Sequence, residues 1–274
     1  MSSGLAGIRF YKMSGSGNDF VVVDARREPY PALEDPATIE RVCRRGTGVG
    51  ADGIVLLAPE RGRDFRMVYY NADGSRASMC GNAALCCTAL VSRLDRRMGE
   101  ELAFETDAGL VTARVASAGP QIDLAPVDDV RPTVALARPV PGSKVGFVMA
   151  GVPHATVLVD DVERTDVVAE GRAIRTAPEL RPAGANANFV SGARGAWRIR
   201  TYERGVEGET LACGTGAVAS AILIASWGLD EGPIRLETRS GRTLAVTLRR
   251  EGDRWIPSLA GEGRLVFEGS LGEL

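Results

Sequence analysis

"MSGSGNDFVVVD", residues Met13–Asp24, lies over "MAGVPHATVLVD", Met149–Asp160, without a gap when the chain is set against itself at an offset of 136. Methionine, a glycine, two valines and the final aspartate coincide. At the same offset "GADGIV" (Gly50–Val55) falls on "NANFVS" (Asn186–Ser191). Further along, "YNADGSRASMCGNAAL" from Tyr70 meets "YERGVEGETLACGTGAV" from Tyr202, with the offset drifting to 132 and then 133. Landmarks in one order and near-equal spacing point to a duplicated unit, so two halves of like architecture are expected.

The segments around these landmarks read mostly as strands. "FVVVDA", "GIVLLAP", "FRMVYY", "ATVLVD", "WRIRTYE", "PIRLET" and "TLAVTL" are β-branched and apolar runs separated by Gly, Pro and Asp. Short polar helices are expected over Pro36–Arg45 and Asp166–Ile174. Two segments differ in kind. From Cys80 to Val91 and from Cys213 to Leu229 there is no charged residue, and a helix apolar on every face must be buried. The expected fold is therefore α+β, with two pseudo-symmetric, strand-rich domains that each wrap a sheet around one central buried helix. The expected domains are residues 1–125 and 126–263. The boundary falls near the proline- and charge-rich "DLAPVDDVRPTV", and a strand within 264–274 returns to the first half.

Composition narrows the function classes. The chain has 274 residues and a formal net charge of -2, with 45% hydrophobic and 25% charged residues. Nothing in that balance suggests nucleic acid or an acidic membrane as partner. The start "MSSGLAGIRFYK" lacks the pattern of a secretory leader, and no uncharged run is long enough to span a bilayer, so a cytoplasmic location is expected. The five cysteines, Cys43, Cys80, Cys86, Cys87 and Cys213, are then expected as reduced thiols. With His154 as the sole histidine they fit no zinc spacing, so no metal is expected. Lys12 and Lys144 are the only lysines, and neither reads as lying beside a glycine-rich phosphate cradle, so no pyridoxal phosphate or other cofactor is expected. "RRGTGVGADG" (Arg44–Gly53) leads into a strand rather than opening a helix, which argues against a dinucleotide loop.

Cys80 and Cys213 each stand just before a buried helix. A helix start offers unpaired N–H groups and a partial positive charge, and both stabilise an anion. A thiol at such a position ionises more readily, while the amides of Gly81, Asn82, Gly214 and Thr215 can hold a carboxylate. Two thiols brought to opposite faces of one small molecule suit inversion of a stereocentre next to a carboxylate. One thiolate removes the α-proton and the other thiol delivers a replacement. Cys43, Cys86 and Cys87, inside apolar segments, read instead as small buried hydrophobes.

Taken together, "KMSGSGNDFVVVD", "YYNADGSRASMCGN", "GVPH", "ANANFV" and "YERGVEGETLACGTG" resemble diaminopimelate epimerase over nearly the whole chain. The resemblance implies a pyridoxal-independent epimerase that interconverts LL- and meso-2,6-diaminopimelate on the route to lysine and peptidoglycan, usually as a homodimer. It implies Cys80 and Cys213 as the acid and base cysteines. Asn18, Asn71 and Asn186 match side chains that hold the substrate's amino and carboxylate groups. Glu203 and Arg204 match a pair that recognises its charges, and Gly81, Asn82, Gly214 and Thr215 match the helix-start amides. His154 and Glu203 are expected to tune the cysteines. A substrate charged at both ends calls for amides and a bidentate arginine.

The sequence departs from the family pattern at three places. Val152 stands where the family's GNPH has asparagine, Ser14 where KMHG has histidine, and Leu85 where CGNGARC has arginine. Val152 bears most on the substrate, because it removes a hydrogen-bonding amide, whereas both cysteines are kept. A racemase of another amino acid, such as glutamate or histidine, on the same scaffold is the alternative enzyme. A non-catalytic binder of small amino acids is the alternative from another class.

Overall fold

The computed structural model describes residues 4–180 and 182–273. The chain divides into two compact units, one running up to Ile122 and resumed from Gly261, the other Asp123–Ala260.

In the first unit the strands are β1 (Arg9–Gly15), β2 (Asn18–Asp24), β3 (Gly53–Ala58), β4 (Phe65–Asn71), β5 (Arg76–Ala77), β6 (Glu101–Thr106) and β7 (Gly109–Ala116). β8 (Gly119–Asp123) runs up to the boundary. The helices are α1 (Pro36–Cys43) and α2 (Gly81–Leu94). The last strand of the chain, β18 (Arg264–Ser270), pairs antiparallel with β1. From there the order continues β1–β2–β3–β4–β6–β7, antiparallel except for the parallel pairs β2–β3 and β4–β6. Parallel neighbours need a crossover connection. α1 serves the first pair, and the β5 hairpin with α2 serves the second.

The second unit repeats this plan. Its strands are β9 (Val130–Arg131), β10 (Lys144–Ala150), β11 (Val152–Leu158), β12 (Asn186–Ala193), β13 (Ala196–Glu203), β14 (Gly208–Thr210), β15 (Ile234–Glu237), β16 (Thr243–Glu251) and β17 (Arg254–Ala260), with helices α3 (Val167–Arg175) and α4 (Gly214–Ser226). The order is β9–β10–β11–β12–β13–β15–β16–β17, and the parallel pairs are again the two bridged by helices, β11–β12 and β13–β15. The expected strand-rich α+β architecture with few helices is the one observed.

The strand register corrects the ungapped self-alignment. Phe20 pairs with Gly53 on β2–β3, as His154 pairs with Asn186 on β11–β12. Asn18 therefore corresponds to Val152 and not to His154. Part of the cause is local: β1 and β2 are joined by the two-residue turn Ser16-Gly17, both at positive φ (54° and 107°), whereas β10 and β11 are joined through Gly151 alone, which accounts for one of the two positions.

Each unit buries helices in two ways. α1 turns Thr38, Ile39, Val42 and Cys43 inward, a one-sided pattern that packs with Val21, Val23, Ile54 and Leu56 in one core. Asp35 caps it, accepting from Thr38 N at 2.9 Å and from the Thr38 hydroxyl at 2.8 Å, with Pro36 in the first turn. α2 and α4 are buried on nearly all sides. α2 touches β1, β2, β4, β7 and β18, and α4 touches β10, β11, β12, β16 and β17, so each sheet curls around its own helix.

Candidate functional site

The two buried helices begin alike. Cys80 is the N-cap of α2 (φ -137°, ψ 119°) and Cys213 the N-cap of α4 (φ -130°, ψ 112°), and neither helix has a side-chain cap. The first intrahelical bonds run from Ala84 N to Cys80 O and from Ala217 N to Cys213 O, both 2.9 Å. Helix geometry thus leaves the N–H groups of residues 81–83 and 214–216 without intrahelical partners, a donor cluster at the positive end of each helix. Cys213 is buried and Cys80 half-buried.

The other three cysteines have no such setting. Burial pushes the Cys43 thiol up to about 12, and Cys86 and Cys87, fully enclosed in α2, are also raised by burial. They remain protonated and pack as apolar groups.

In the first unit, Asn18 and Asn82 meet. Asn18 opens β2 and donates from Nδ2 to Asp52 Oδ2 at 3.0 Å, and its Oδ1 accepts from Asn82 Nδ2 at 2.6 Å. Asp52 also accepts from Asp19 N at 3.2 Å and from Arg45 at 2.9 Å. Asn82 Oδ1, on a residue only 2% exposed, has no partner among the described residues, and an unmet buried acceptor costs about 1–3 kcal/mol. Gly15 is needed beside it, because a Cβ there would lie 2.8 Å from Asn82 O and 3.0 Å from Cys86 Sγ. Asn71 stands apart from this pair. It ends β4 opposite Gly53, and its amide serves the following turn by donating to Ser75 Oγ at 3.0 Å.

The glycine-rich loop leads into β3, as its sequence suggests. Lys12 is buried, with its ammonium against Gly50 O of that loop and Asp19 Oδ2. Both contacts engage the amine within the fold.

In the second unit most of the expected residues form one connected network. His154 is fully buried, with Nε2 3.0 Å from Thr215 Oγ1, and Thr215 Oγ1 is 3.6 Å from Cys213 Sγ. Asn186 accepts from Arg204 N at 2.7 Å and places its Nδ2 3.5 Å from His154 Nε2. Arg204 reaches Ala183 O at 3.4 Å. Glu203 ends β13 and accepts from the Thr210 hydroxyl on β14. Gly214 is the first residue of α4. Val152 opens β11 half-buried, Leu85 is fully buried within α2, and Ser14 lies in β1.

Burial lowers the His154 pKa to about 3, and the Arg204 charge adds to that effect, so the ring is neutral near pH 7. Its tautomer follows from a residue that the sequence reading did not single out. Asn188 Nδ2 faces Ala155 O (3.2 Å) and His154 Nδ1 (3.3 Å), and its Oδ1 accepts from Thr201 Oγ1 (3.0 Å). A backbone carbonyl only accepts, so the group beside it is the amide NH2, and this contact, shorter than the 3.5 Å from Asn186 Nδ2 to Nε2, favours an accepting Nδ1. The ring hydrogen is then on Nε2, directed at Thr215. The opposite tautomer would set N–H against NH2 at the closer of the two asparagine contacts. Neither Asn188 nor Asp52 carries a sequence signal of its own, since each is recognisable only by the strand register that aims it.

Among the described residues there is no cluster of three or more His, Cys, Asp or Glu arranged to hold a metal, and no helix long and apolar enough to cross a membrane.

Comparison with known proteins follows the same lines. The family profile described as Diaminopimelate epimerase matches residues 10–128 and 146–266. A diaminopimelate epimerase of Gemmatimonas aurantiaca is 45% identical over 97% of this chain and 99% of its own length. That of Aquifex aeolicus is 39% identical over 97% and 98%. Among solved structures, a phenazine biosynthesis protein of the PhzF family from Bacillus anthracis superposes with a TM-score of 0.70 at 16% identity, covering 96% of this chain and 98% of that one. A hydroxyproline epimerase from Agrobacterium vitis superposes at 0.68 with 16% identity, covering 99% and 94%. These two share the fold.

Proposed function

The chain belongs to the diaminopimelate epimerase family, and from that premise we propose that it interconverts LL- and meso-2,6-diaminopimelate by moving the α-proton between two thiols, Cys80 and Cys213, with no cofactor. The observation that carries the reading is the matched setting of the two cysteines, each the N-cap, with no side-chain cap, of a helix buried on nearly all sides and with matching backbone angles. An acid and a base in like local settings suit a reaction whose forward and reverse directions are chemically alike.

In one direction a thiolate takes the α-proton and the other thiol protonates the opposite face of the carbon, and the roles exchange in reverse. The helix-start amides of Gly81, Asn82, Gly214 and Thr215 hold the carboxylate and stabilise the charge that moves onto it. Asn18, Asn71, Asn186, Glu203 and Arg204 read the amino and carboxylate groups, with Arg204 suited to a bidentate carboxylate contact. His154 acts on Cys213 through Thr215, as a neutral group, and Glu203 tunes the same side of the site. The two compact units serve as the two halves of the enzyme. We further infer a cytoplasmic homodimer in lysine and peptidoglycan precursor synthesis, with the amino acid as its small-molecule partner and neither nucleic acid nor membrane involved.

A second reading rests on Val152, which offers no amide at the start of β11. A racemase of another amino acid, glutamate or histidine, would keep the thiol chemistry and change the pocket. Incubation in D2O separates the two. Deuterium uptake at the α-carbon with inversion of LL-diaminopimelate, and none with L-glutamate or L-histidine, is the expected result. Exchange confined to another amino acid would overturn the substrate while keeping the mechanism. No exchange with any of them would favour a binder.

A further inference from the structure

Each cysteine helix is served by a three-residue hydrogen-bond chain that ends at its second residue. In the first unit the chain is Asp52–Asn18–Asn82, with contacts of 3.0 and 2.6 Å. In the second it is Asn188–His154–Thr215, with contacts of 3.3 and 3.0 Å. The middle members are not equivalent by register, since Asn18 corresponds to Val152. The second unit builds its chain from His154, two residues further along β11.

The chains run in opposite directions. Asp52 only accepts, so Asn18 must turn its NH2 toward Asp52 and its carbonyl toward Asn82. Asn82 then donates its own NH2 and is left with a buried acceptor, Oδ1, that nothing among the described residues satisfies. In the second unit Asn188 donates, His154 Nδ1 accepts, and Nε2–H donates to Thr215. The hydroxyl hydrogen of Thr215 is thereby released toward Cys213 Sγ at 3.6 Å.

We propose that Asp52 and Asn188 are positioning residues that set these opposite polarities, so that Asn82 Oδ1 receives the ammonium of the amino-acid substrate and the Thr215 hydroxyl donates to the sulfur of Cys213. The substrate class rests on the epimerase reading above. The polarities rest on the fold alone. An ammonium matches the unmet acceptor because it supplies hydrogen-bond donors, while the amides beside it suit the carboxylate of the same molecule. A donated hydrogen bond to a thiolate favours the charged form.

His154 is the only histidine in the chain, so its ring nitrogens can be followed directly by NMR in untagged protein labelled with 15N-histidine. The expected spectrum is a neutral ring protonated on Nε2, with Asn188→Asp placing a proton on Nδ1. A wild-type ring protonated on Nδ1, or an Asn188→Asp ring still carrying its only proton on Nε2, overturns the assignment for that unit. If Asn188→Asp does not fold, the wild-type tautomer alone decides. For the first unit, Asn82→Asp sets two acceptors against each other and should raise KM for diaminopimelate tenfold or more with kcat changed less. Adding Asp52→Asn reverses the whole chain: the introduced amide donates to Asn18, and Asn18 in turn donates to the introduced carboxylate. This double variant should return KM to within about threefold of wild type. A double variant no better than Asn82→Asp overturns the role of Asp52. Wild-type protein inert toward every amino acid would instead refute the epimerase reading, and the ring spectrum would still decide the polarity of the second chain.

Discussion

His154 Nε2 lies 3.0 Å from Thr215 Oγ1, and the ring is wholly enclosed and neutral. A base whose pKa falls from 6.5 to about 3 on folding binds its proton more readily in the unfolded chain. It therefore leaves stability intact above pH 6.5 and erodes it as the pH falls from 6.5 toward 3. The slope from this one group reaches about 1.4 kcal/mol per pH unit in the middle of that window. Urea unfolding at several pH values should show wild type losing stability below pH 6.5 more steeply than His154→Gln. Equal slopes would mean that the ring takes up a proton in the folded state as easily as in the unfolded one.

The cysteines separate into two classes with different readouts. Cys80→Ser or Cys213→Ser should lower kcat by about 10³-fold or more, the scale of a lost general acid or base, with little change in unfolding midpoint. Cys87→Ala, within the interior of α2, should do the reverse, costing about 1 kcal/mol of stability and leaving turnover per folded molecule unchanged. Steady-state kinetics beside chemical denaturation tests both. Full activity in either serine variant would remove that thiol from the reaction.

Asp35 offers a test of local structure at a residue the proposed chemistry does not use. Its carboxylate accepts from both the amide and the hydroxyl of Thr38. Asp35→Ala should cost about 1 kcal/mol, seen as a lower urea midpoint with an unchanged slope, and kcat should be that of wild type. A larger loss would mean that the cap holds more than α1.

These residues also mark how far the sequence could be read. The strands were legible because β-branched runs broken by Gly and Pro have few other outcomes, and α2 and α4 because an uncharged helix needs an interior. The cysteines and His154 stood out by rarity. Asp52 and Asn188 did not, since a carboxylate and an amide near strand starts are ordinary, and what distinguishes them is the side chain that each one faces. The ungapped repeat misled for a related reason. A shift of two positions leaves the alternation of apolar residues in place, and only the hydrogen-bonded register reveals it.

Gly216 tests whether the second network depends on close packing. A Cβ there would lie 2.5 Å from Asn188 Oδ1 and 3.3 Å from Cys213 Sγ, so Gly216→Ala must displace Asn188 or the Cys213 sulfur. Asn188 is anchored by Thr201 and by Ala155 O, which leaves it little room to yield. Overpacking of this kind costs about 1–3 kcal/mol, and a displaced Asn188 would also disturb the His154 ring that it faces. The expected outcome is a loss of stability in that range together with at least a tenfold fall in kcat. Gly232→Ala is the control, because a Cβ at that exposed position meets nothing within 4 Å. Wild-type turnover in Gly216→Ala would show that whichever of Asn188 and the Cys213 sulfur yields can move without consequence for the reaction.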